Sequence, residues 1–477
     1  MPTTVVWLSR SLRLADHPAL VHAAERGAVV PVFVWAPDEE APWEPGGAHR
    51  WWLNESLADL AADLDARGSR LTLRAGPTAA ALLDVARAVG ADRVVWQASV
   101  EPHLAARDAA IGRELEAAGL AVRTFAGQIL HDPEAIRTGS GGPYRVFGHF
   151  WRKVQAETAV GEPLPVPALA APEAWPGSAG LDTFGLTPEA QDGVDWAAGM
   201  RETWTPGEAG AQERLAALVA ERLAGYGAAR DRLAAEGTSR LSPHLHWGEV
   251  SPRQIHTAVR AATAPDEDRD KFLAELAWRE FSYHVLHHYP ETPEHALKPA
   301  FEHFPWRADA AGFRAWRRGQ TGFPVVDAGM RQLWAEGWMH NRARLITASF
   351  LTKDLLLPWQ DGARYFWDTL CCGNLANNTM GWQWSAGSGA DAQPFFRVFN
   401  PTGQGERFDA QGDYIRRWVP ELAGLSAKWI HRPHEAPPAV LAAAGVRLGA
   451  TYPRPIVDHA ARRLEALAAL KQTAAAG

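Results

Sequence analysis

Five short runs rich in valine and aromatic residues, TTVVWLS, VVPVFVW, SRLTLRAG, DRVVWQA and LAVRTFAG, recur through the first 130 residues with helix-patterned segments between them. Nearly continuous apolar character suits strands whose sheet is covered on both faces, which is the condition of buried parallel strands. The intervening HRWWLNESLADLAADLDARG, PTAAALLDVARAVG and HLAARDAAIGRELEAAG carry apolar residues at helical spacing, and each ends in Gly. That order predicts an α/β fold, a doubly wound, Rossmann-like parallel sheet over residues 1–130. Such sheets take ligands at the carboxyl ends of their strands. The loop after the first run, SRSLRLADHPAL, puts Arg10 and Arg13 there, either as ligand contacts or as solvated loop cations. No GxGxxG or Walker-type glycine loop follows, so nothing points to a dinucleotide or P-loop site.

Residues 131–210 are rich in Pro, Gly and acidic residues without clear periodicity, and read as a connector between domains. Within it, GPYRVFGHFWRKV carries enough aromatic surface to be pinned to the first domain. From 211 to 477 the pattern is helical almost throughout, predicting an all-α second domain. The chain has 477 residues, 47% of them hydrophobic, which suits two or three domains. With no apolar run of about 18 residues and no signal-peptide layout, a soluble, cytoplasmic protein without membrane partners is expected. Its two cysteines are adjacent, Cys371 and Cys372, which excludes a disulfide framework and a CxxC metal knuckle, so no metal is expected. A net charge of −7 argues against general coating of polyanions but allows a local basic groove.

The chain holds 22 Trp against 7 Tyr, a preference that burial alone does not explain. Two of them, Trp382 and Trp384, fall in Leu370–Pro401, in company with Asn374, Asn377, Asn378 and glycines. Buried amides need partners, and a flat polar ligand would supply them; a Trp-rich loop packed on a core is the other reading. In GTSRLSPHLHWGEVSPRQI, hydroxyls at Thr238, Ser239 and Ser242 surround Arg240, a cluster suited to phosphate, although helix capping has the same look. The helix DRDKFLAELAWREFSYHVLHHYP sets Glu275 one turn from Trp278 and Arg279, beside Phe272 and Phe281. A helix over Gln332–Leu357 presents Asn341, Arg342 and Leu345; its single His340 is weak support for a metal.

In this order GTSRLS, ELAWREF, GFPVVDAGMRQL, GWMHNRARLITASFL and GWQWSAGSGADAQPFFRVFNPTGQGERFD resemble the DNA photolyase and cryptochrome family, most closely its bacterial class I cyclobutane-dimer photolyases. The resemblance implies an antenna domain over 1–130 and a helical catalytic domain over 211–477 that holds FAD and receives a flipped pyrimidine dimer. It implies that Tyr226, Thr238, Ser239, Arg240, Leu241, Ser242, Phe272, Cys372, Gly373 and Asn374 bind FAD, with Asn378 at flavin N5 and Arg344 beside the ring. Trp382, Trp359 and Trp306 match the relay that carries an electron from the surface to the excited flavin. Glu275, Trp278, Asn341, Arg342, Leu345 and Trp384 match the lesion pocket, and Arg230, Arg279 and Gln404 the contacts to DNA. The implied activity is light-driven repair of UV-damaged DNA by a monomer, the alternative being a cryptochrome-like photoreceptor without repair. Repair of (6-4) products is disfavoured because His340 lacks a second histidine. A folate, deazaflavin or FMN antenna is implied without its identity, and the RWWL run at Arg50–Leu53 and GPYRVFGHFWRK either line its site or belong to the core.

Three positions depart from the family pattern. Leu345 stands where methionine is usual, and Cys372 and Asn374 where aspartates are usual. The first keeps volume. The other two remove charge close to the flavin and bear on its redox tuning.

Overall fold

The structure, a computed structural model, describes residues 1–157, 159–187, 194–391 and 397–476. Ala392–Phe396, part of the Trp-rich stretch singled out above, lie outside the described residues. The chain opens with β1 (Thr3–Leu8), α1 (Pro18–Ala24), β2 (Ala28–Trp35), α2 (Gly47–Ala66), β3 (Thr72–Ala75), α3 (Thr78–Val89), β4 (Arg93–Gln97), α4 (Pro102–Ala117) and β5 (Ala121–Phe125). All strand pairs are parallel, in the spatial order β3-β2-β1-β4-β5. Val5 is in register with Val30 on one side and Val94 on the other, and all three are fully buried. This is the doubly wound sheet that the valine runs predict, its strand order reversing between β1 and β4.

Contact density divides the chain into two compact units. The first comprises Met1–Ala224, Ser239–His288 and Cys371–Asn374; the second comprises Gly225–Thr238, Tyr289–Leu370 and Leu375–Gly477.

In the first unit the sheet is joined by helices from much later in the chain. Glu249 is fully buried and accepts hydrogen bonds from Trp52 Nε1 (2.8 Å) and Ser56 Oγ on α2, and it pairs with His244. A buried carboxylate is tolerable only with such a full set of donors. Trp51 and Trp52 are therefore core, while Leu53 of the same RWWL run lines a cleft beside β1 and β2. Arg10 and Arg13 are also buried. Arg13 donates to Gly248 O and Asp16 O, while Arg10 pairs with Glu40 and lies over the Trp247 ring. Burial lowers the Arg13 pKa to about 10. The loop arginines thus hold the fold.

The connector contains a helix the sequence did not announce, α5 (Phe147–Glu157), which buries Phe150 and Val154 and packs on α6 (Asp266–His288). The run GAQERLAALVAERLAGYGAARDRLAAEG is not continuous helix to Gly237: after Glu208–Ala217 it widens into a π turn at Leu218–Arg222, and Gly225 takes left-handed backbone (φ 83°).

In the second unit the expected helix over Gln332–Leu357 is two. α7 (Pro324–Glu336) stops where Gly337 turns left-handed (φ 60°), and α8 (Asn341–Ser349) restarts behind the cap residue His340, whose ring nitrogen accepts from Arg342 N. α9 (Trp359–Thr369) packs on α10 (Leu375–Ala386). The middle of that stretch, including both tryptophans, is therefore helix and not loop.

Candidate functional site

The tryptophans expected to relay an electron all lie in the second unit. Trp382 on α10 and Trp359 at the start of α9 are each 2% exposed, whereas Trp306 is only half-buried, against Phe304 at 4.3 Å and the helix carrying Ala466 and Ala469. Exposure thus rises from Trp382 to Trp306, as a path toward the surface requires. Trp382 is held edge-on by Phe366 (4.9 Å) and Trp316 (6.1 Å). Its seat exists because residue 362 is Gly: a Cβ there would meet the Trp382 ring at 2.1 Å. The Trp382 Nε1 is buried without a hydrogen-bond partner among the described residues.

On α10, Asn378 is half-buried and donates its side-chain N–H to Ala363 O at 2.9 Å. That bond fixes the orientation of the amide, so its oxygen is the end presented to a ligand. Arg344, half-buried on α8, donates from Nε to Met339 O at 2.8 Å. The same helix exposes Asn341 and half-buries Leu345. Trp384 and Gln404 are half-buried, Tyr226 is buried and Thr238 intermediate. Arg342 pairs with Asp231 at 2.8 Å and lies over the Phe408 ring, and Arg230 approaches the same carboxylate at 4.0 Å. One acid thus faces both arginines expected at DNA. His340 is almost fully buried, and burial lowers its pKa to about 4, so it is neutral at ordinary pH and no general acid.

The first unit carries the remaining candidates. On α6, Phe272 is buried, Glu275 pairs with Lys271 at 3.3 Å, and Trp278 is half-buried. Arg279 was expected to meet DNA phosphate but is 7% exposed, with its guanidinium bonded to Gln128 O (2.9 Å) and Glu280 (3.1 Å) and over the Tyr283 ring. Its charge is needed inside, because Glu280 is itself buried while accepting from Leu130 N (2.7 Å) and His131 N. We therefore remove Arg279 from the DNA set. Further along α6, His284 accepts from Tyr144 N and His288 bonds Pro133 O, so one helix face ties down the connector's backbone. Glu134, His287 and His288 bring metal-ligating atoms within 4.8 Å of one another, but Arg137 holds the Glu134 carboxylate and Pro133 O engages His288, so the group reads as part of this docking.

Near Ser242 the backbone is unusual. Arg240 is left-handed (φ 53°) with its guanidinium over Trp204, Leu241 is buried, and Ser239 Oγ accepts from Leu241 N. Cys372, Gly373 and Asn374 are buried, and the Asn374 amide bonds the Tyr283 hydroxyl and, at 3.4 Å, Glu101. Glu101 is 2% exposed, and burial raises the Tyr283 pKa to about 12. A carboxylate already stands beside residue 374, which gives a reason for the amide: aspartate would place two like charges together in a buried site.

Sequence reading missed Glu101, Tyr283, Asp231 and Gly362. Glu101 reaches Asn374, 273 residues away, and Gly362 seats Trp382 on the next helix. The others act on partners distant in sequence.

A narrow cleft with room for about one water opens at the carboxyl ends of β1 and β2, walled by Trp7, Trp35 and Trp247 and crossed by the Arg10, Glu40 and Arg107 ion pairs.

The comparisons with known proteins name the class to which this parallel sheet and helical unit with buried tryptophans belong. The family model for the FAD binding domain of DNA photolyase matches residues 272–472, and the DNA photolyase model matches 4–170. The chain is 47% identical to a deoxyribodipyrimidine photo-lyase of Agrobacterium fabrum, over 98% of this chain and 97% of that one. It is 41% identical to cryptochrome-2 of Arabidopsis thaliana, over 95% of this chain and 76% of that one. The crystal structure of a bacterial class III photolyase from Agrobacterium tumefaciens superimposes with a TM-score of 0.95 at 46% identity, covering 99% of this chain and 98% of that one. The chain belongs to the DNA photolyase and cryptochrome family and carries its FAD-binding domain. The resemblance to class I is corrected: this structural relative is a class III photolyase. Among the described residues no helix is long and apolar enough to cross a membrane.

Proposed function

We propose that this chain is a deoxyribodipyrimidine photo-lyase that repairs cyclobutane pyrimidine dimers in UV-damaged DNA with light. The observation that carries the reading is its nearly end-to-end similarity to a photo-lyase, with candidate lesion residues Glu275, Trp278, Asn341 and Trp384 all retained and none fully buried. Residues 1–130 serve as the antenna domain, 131–210 as the connector and 211–477 as the catalytic domain.

FAD, when reduced and excited, supplies the electron that opens the cyclobutane ring, and the protein supplies binding, orientation and electrostatics. Tyr226, Thr238–Ser242, Phe272 and Cys372–Asn374 hold it. The residues fit such a group: Asn374, Tyr283 and Glu101 form a buried polar set, and Asn378 presents an oxygen fixed by Ala363. The Asn378 oxygen would serve the flavin as a hydrogen-bond acceptor, and Arg344 would supply a nearby positive charge. Trp382, Trp359 and Trp306 would carry an electron inward from the surface. Trp278 and Trp384 stack on the flipped bases, at ~1–3 kcal/mol each, against a flipping cost that is least for damaged bases. Glu275 bonds the base edge, Leu345 fills the pocket wall, and Asn341, Arg342, Arg230 and Gln404 meet the DNA. The cleft at β1 and β2 has aromatic walls, and a folate, deazaflavin or FMN antenna would have to widen it to enter. The protein works as a cytoplasmic monomer.

Flavin-loaded, reduced protein is mixed with dimer-containing DNA under blue light and in the dark. Loss of dimers only in the light supports the reading. Light-driven flavin reduction with no loss of dimers would favour the cryptochrome-like alternative, which the similarity to a plant cryptochrome keeps in view.

A further inference from the structure

We infer that Phe147, at the first turn of α5 in the connector, is a positioning residue for DNA: it fixes the Trp278 ring so that one indole face is preset to stack on the flipped lesion. This rests on the assignment of Trp278 to the lesion pocket. The phenyl and indole rings lie parallel, with centroids 3.8 Å apart and planes within 10°. Phe281 closes the pair edge-on, at 5.8 Å from Trp278 and 5.9 Å from Phe147, and Phe150 of α5 supports Phe281 at 5.3 Å.

The stack is held at both ends. On one side Tyr144 N donates to His284 of α6 at 3.0 Å. On the other, Phe150 and Val154 are 1% and 4% exposed, anchoring α5. The Trp278 carbonyl also accepts from Ser282 Oγ at 2.8 Å. Phe147 therefore has little freedom to leave, and with Phe147 on one face Trp278 meets a base only with the other.

A half-exposed indole otherwise samples several rotamers and loses that freedom when a base stacks on it. Ordering a rotamer-rich side chain before binding removes that loss from the binding step. A base then meets an aromatic sandwich whose lower layer is supplied by the connector. This gives residues 144–150 a role in damage recognition beyond linking two domains.

The test is a double-mutant cycle on flavin-loaded protein, with affinity measured for an oligonucleotide carrying one thymine dimer and for its undamaged counterpart. Phe147→Ala should weaken dimer binding by roughly three- to tenfold, the range expected for one side chain left to order on binding. The loss should fall on affinity and not on the repair yield per bound dimer. It should leave the salt dependence of binding unchanged, since no charge is removed. Phe147→Trp should restore affinity. In a Trp278→Ala background Phe147→Ala should cost nothing further, because its effect passes through the indole. Equal losses in both backgrounds, or no loss in either, would overturn the inference. If Trp278→Ala alone leaves dimer affinity intact, the assignment of Trp278 fails first. Melting curves of each variant separate unfolding from local loosening, and Phe147→Leu, which keeps bulk but not the flat face, repeats the test if Phe147→Ala unfolds.

Discussion

The α6 helix of the first unit and the tryptophan relay of the second handle electrostatics in opposite ways. On α6, Glu280, His284 and His288 each meet a connector backbone group and Arg279 meets Gln128 O just before it, so charge and polarity hold a chain segment that has little regular structure of its own. Around Trp382 the packing partners are rings, Phe366 and Trp316, and the indole N–H has no partner among the described residues. Polar ties suit a surface that must be shaped for a polyanion. Dry aromatic packing suits electron movement, since fixed surroundings with few dipoles need little reorganisation. The two regions should therefore fail differently when altered.

The largest effect is expected at Gly362→Ala. The new Cβ would lie 2.1 Å from the Trp382 ring, and Phe366 and Trp316 limit where that ring can go. Overpacking of this kind costs ~1–3 kcal/mol. Thermal melting should drop and light-driven flavin reduction should slow; a variant normal in both would show that the seat of Trp382 is not tight.

Asn374→Asp comes next and probes the polar region. With Glu101 alongside, burial and like charge raise the pKa of the pair in the folded state. The folded protein then binds more protons than the unfolded chain, so stability falls as pH rises. The variant should match the parent near pH 5 and lose roughly 1–3 kcal/mol by pH 8, the scale of a poorly compensated buried polar group. Comparing its flavin affinity with that of Cys372→Asp shows whether either departure tunes the flavin.

Titration separates the units further. Burial holds His17, His49 and His284 of the first unit at about 3, against an ordinary value of 6.5. These histidines stay neutral in the fold while the unfolded chain takes up protons, so their contribution is full above pH 6.5 and is lost as pH falls toward 3. In the second unit Lys353, buried and lowered from 10.5 to about 7, does the same on the alkaline side, with stability rising between pH 7 and 10.5. Lys353→Met should remove that rise. Hydrogen exchange resolved by segment checks both windows; acid opening that begins in the second unit would contradict the comparison, although its His340, at about 4, contributes in the same direction.

The smallest effect is expected at Asp231→Asn. Releasing Arg342 from its 2.8 Å partner should strengthen binding to undamaged DNA and steepen its salt dependence by about one phosphate contact. No change in slope would mean that Arg342 does not reach the backbone.

The valine runs sufficed for the sheet because a buried parallel strand leaves its mark within a few residues. Glycine stops were less reliable. Gly337 ended a helix expected to continue, while Gly381 sits inside α10 without breaking it, because the surrounding packing outweighs a cost of about 1 kcal/mol. Most candidate residues could be named from motifs, but not their partners. By family resemblance Arg279 is expected at DNA; only the fold buries it with its neighbour Glu280 and brings Gln128 O beside it.

The sequence alone determined the α/β-then-helical order, the family, and the chemistry on offer at Asn378, Trp382 and Glu275, because these depend on local periodicity and residue type. Tertiary structure decided which charges are spent internally, which face of Trp278 remains for a base, and why residue 374 is an amide. Those outcomes depend on groups up to 273 residues apart in sequence, such as Asn374 and Glu101, that meet only once the chain has folded.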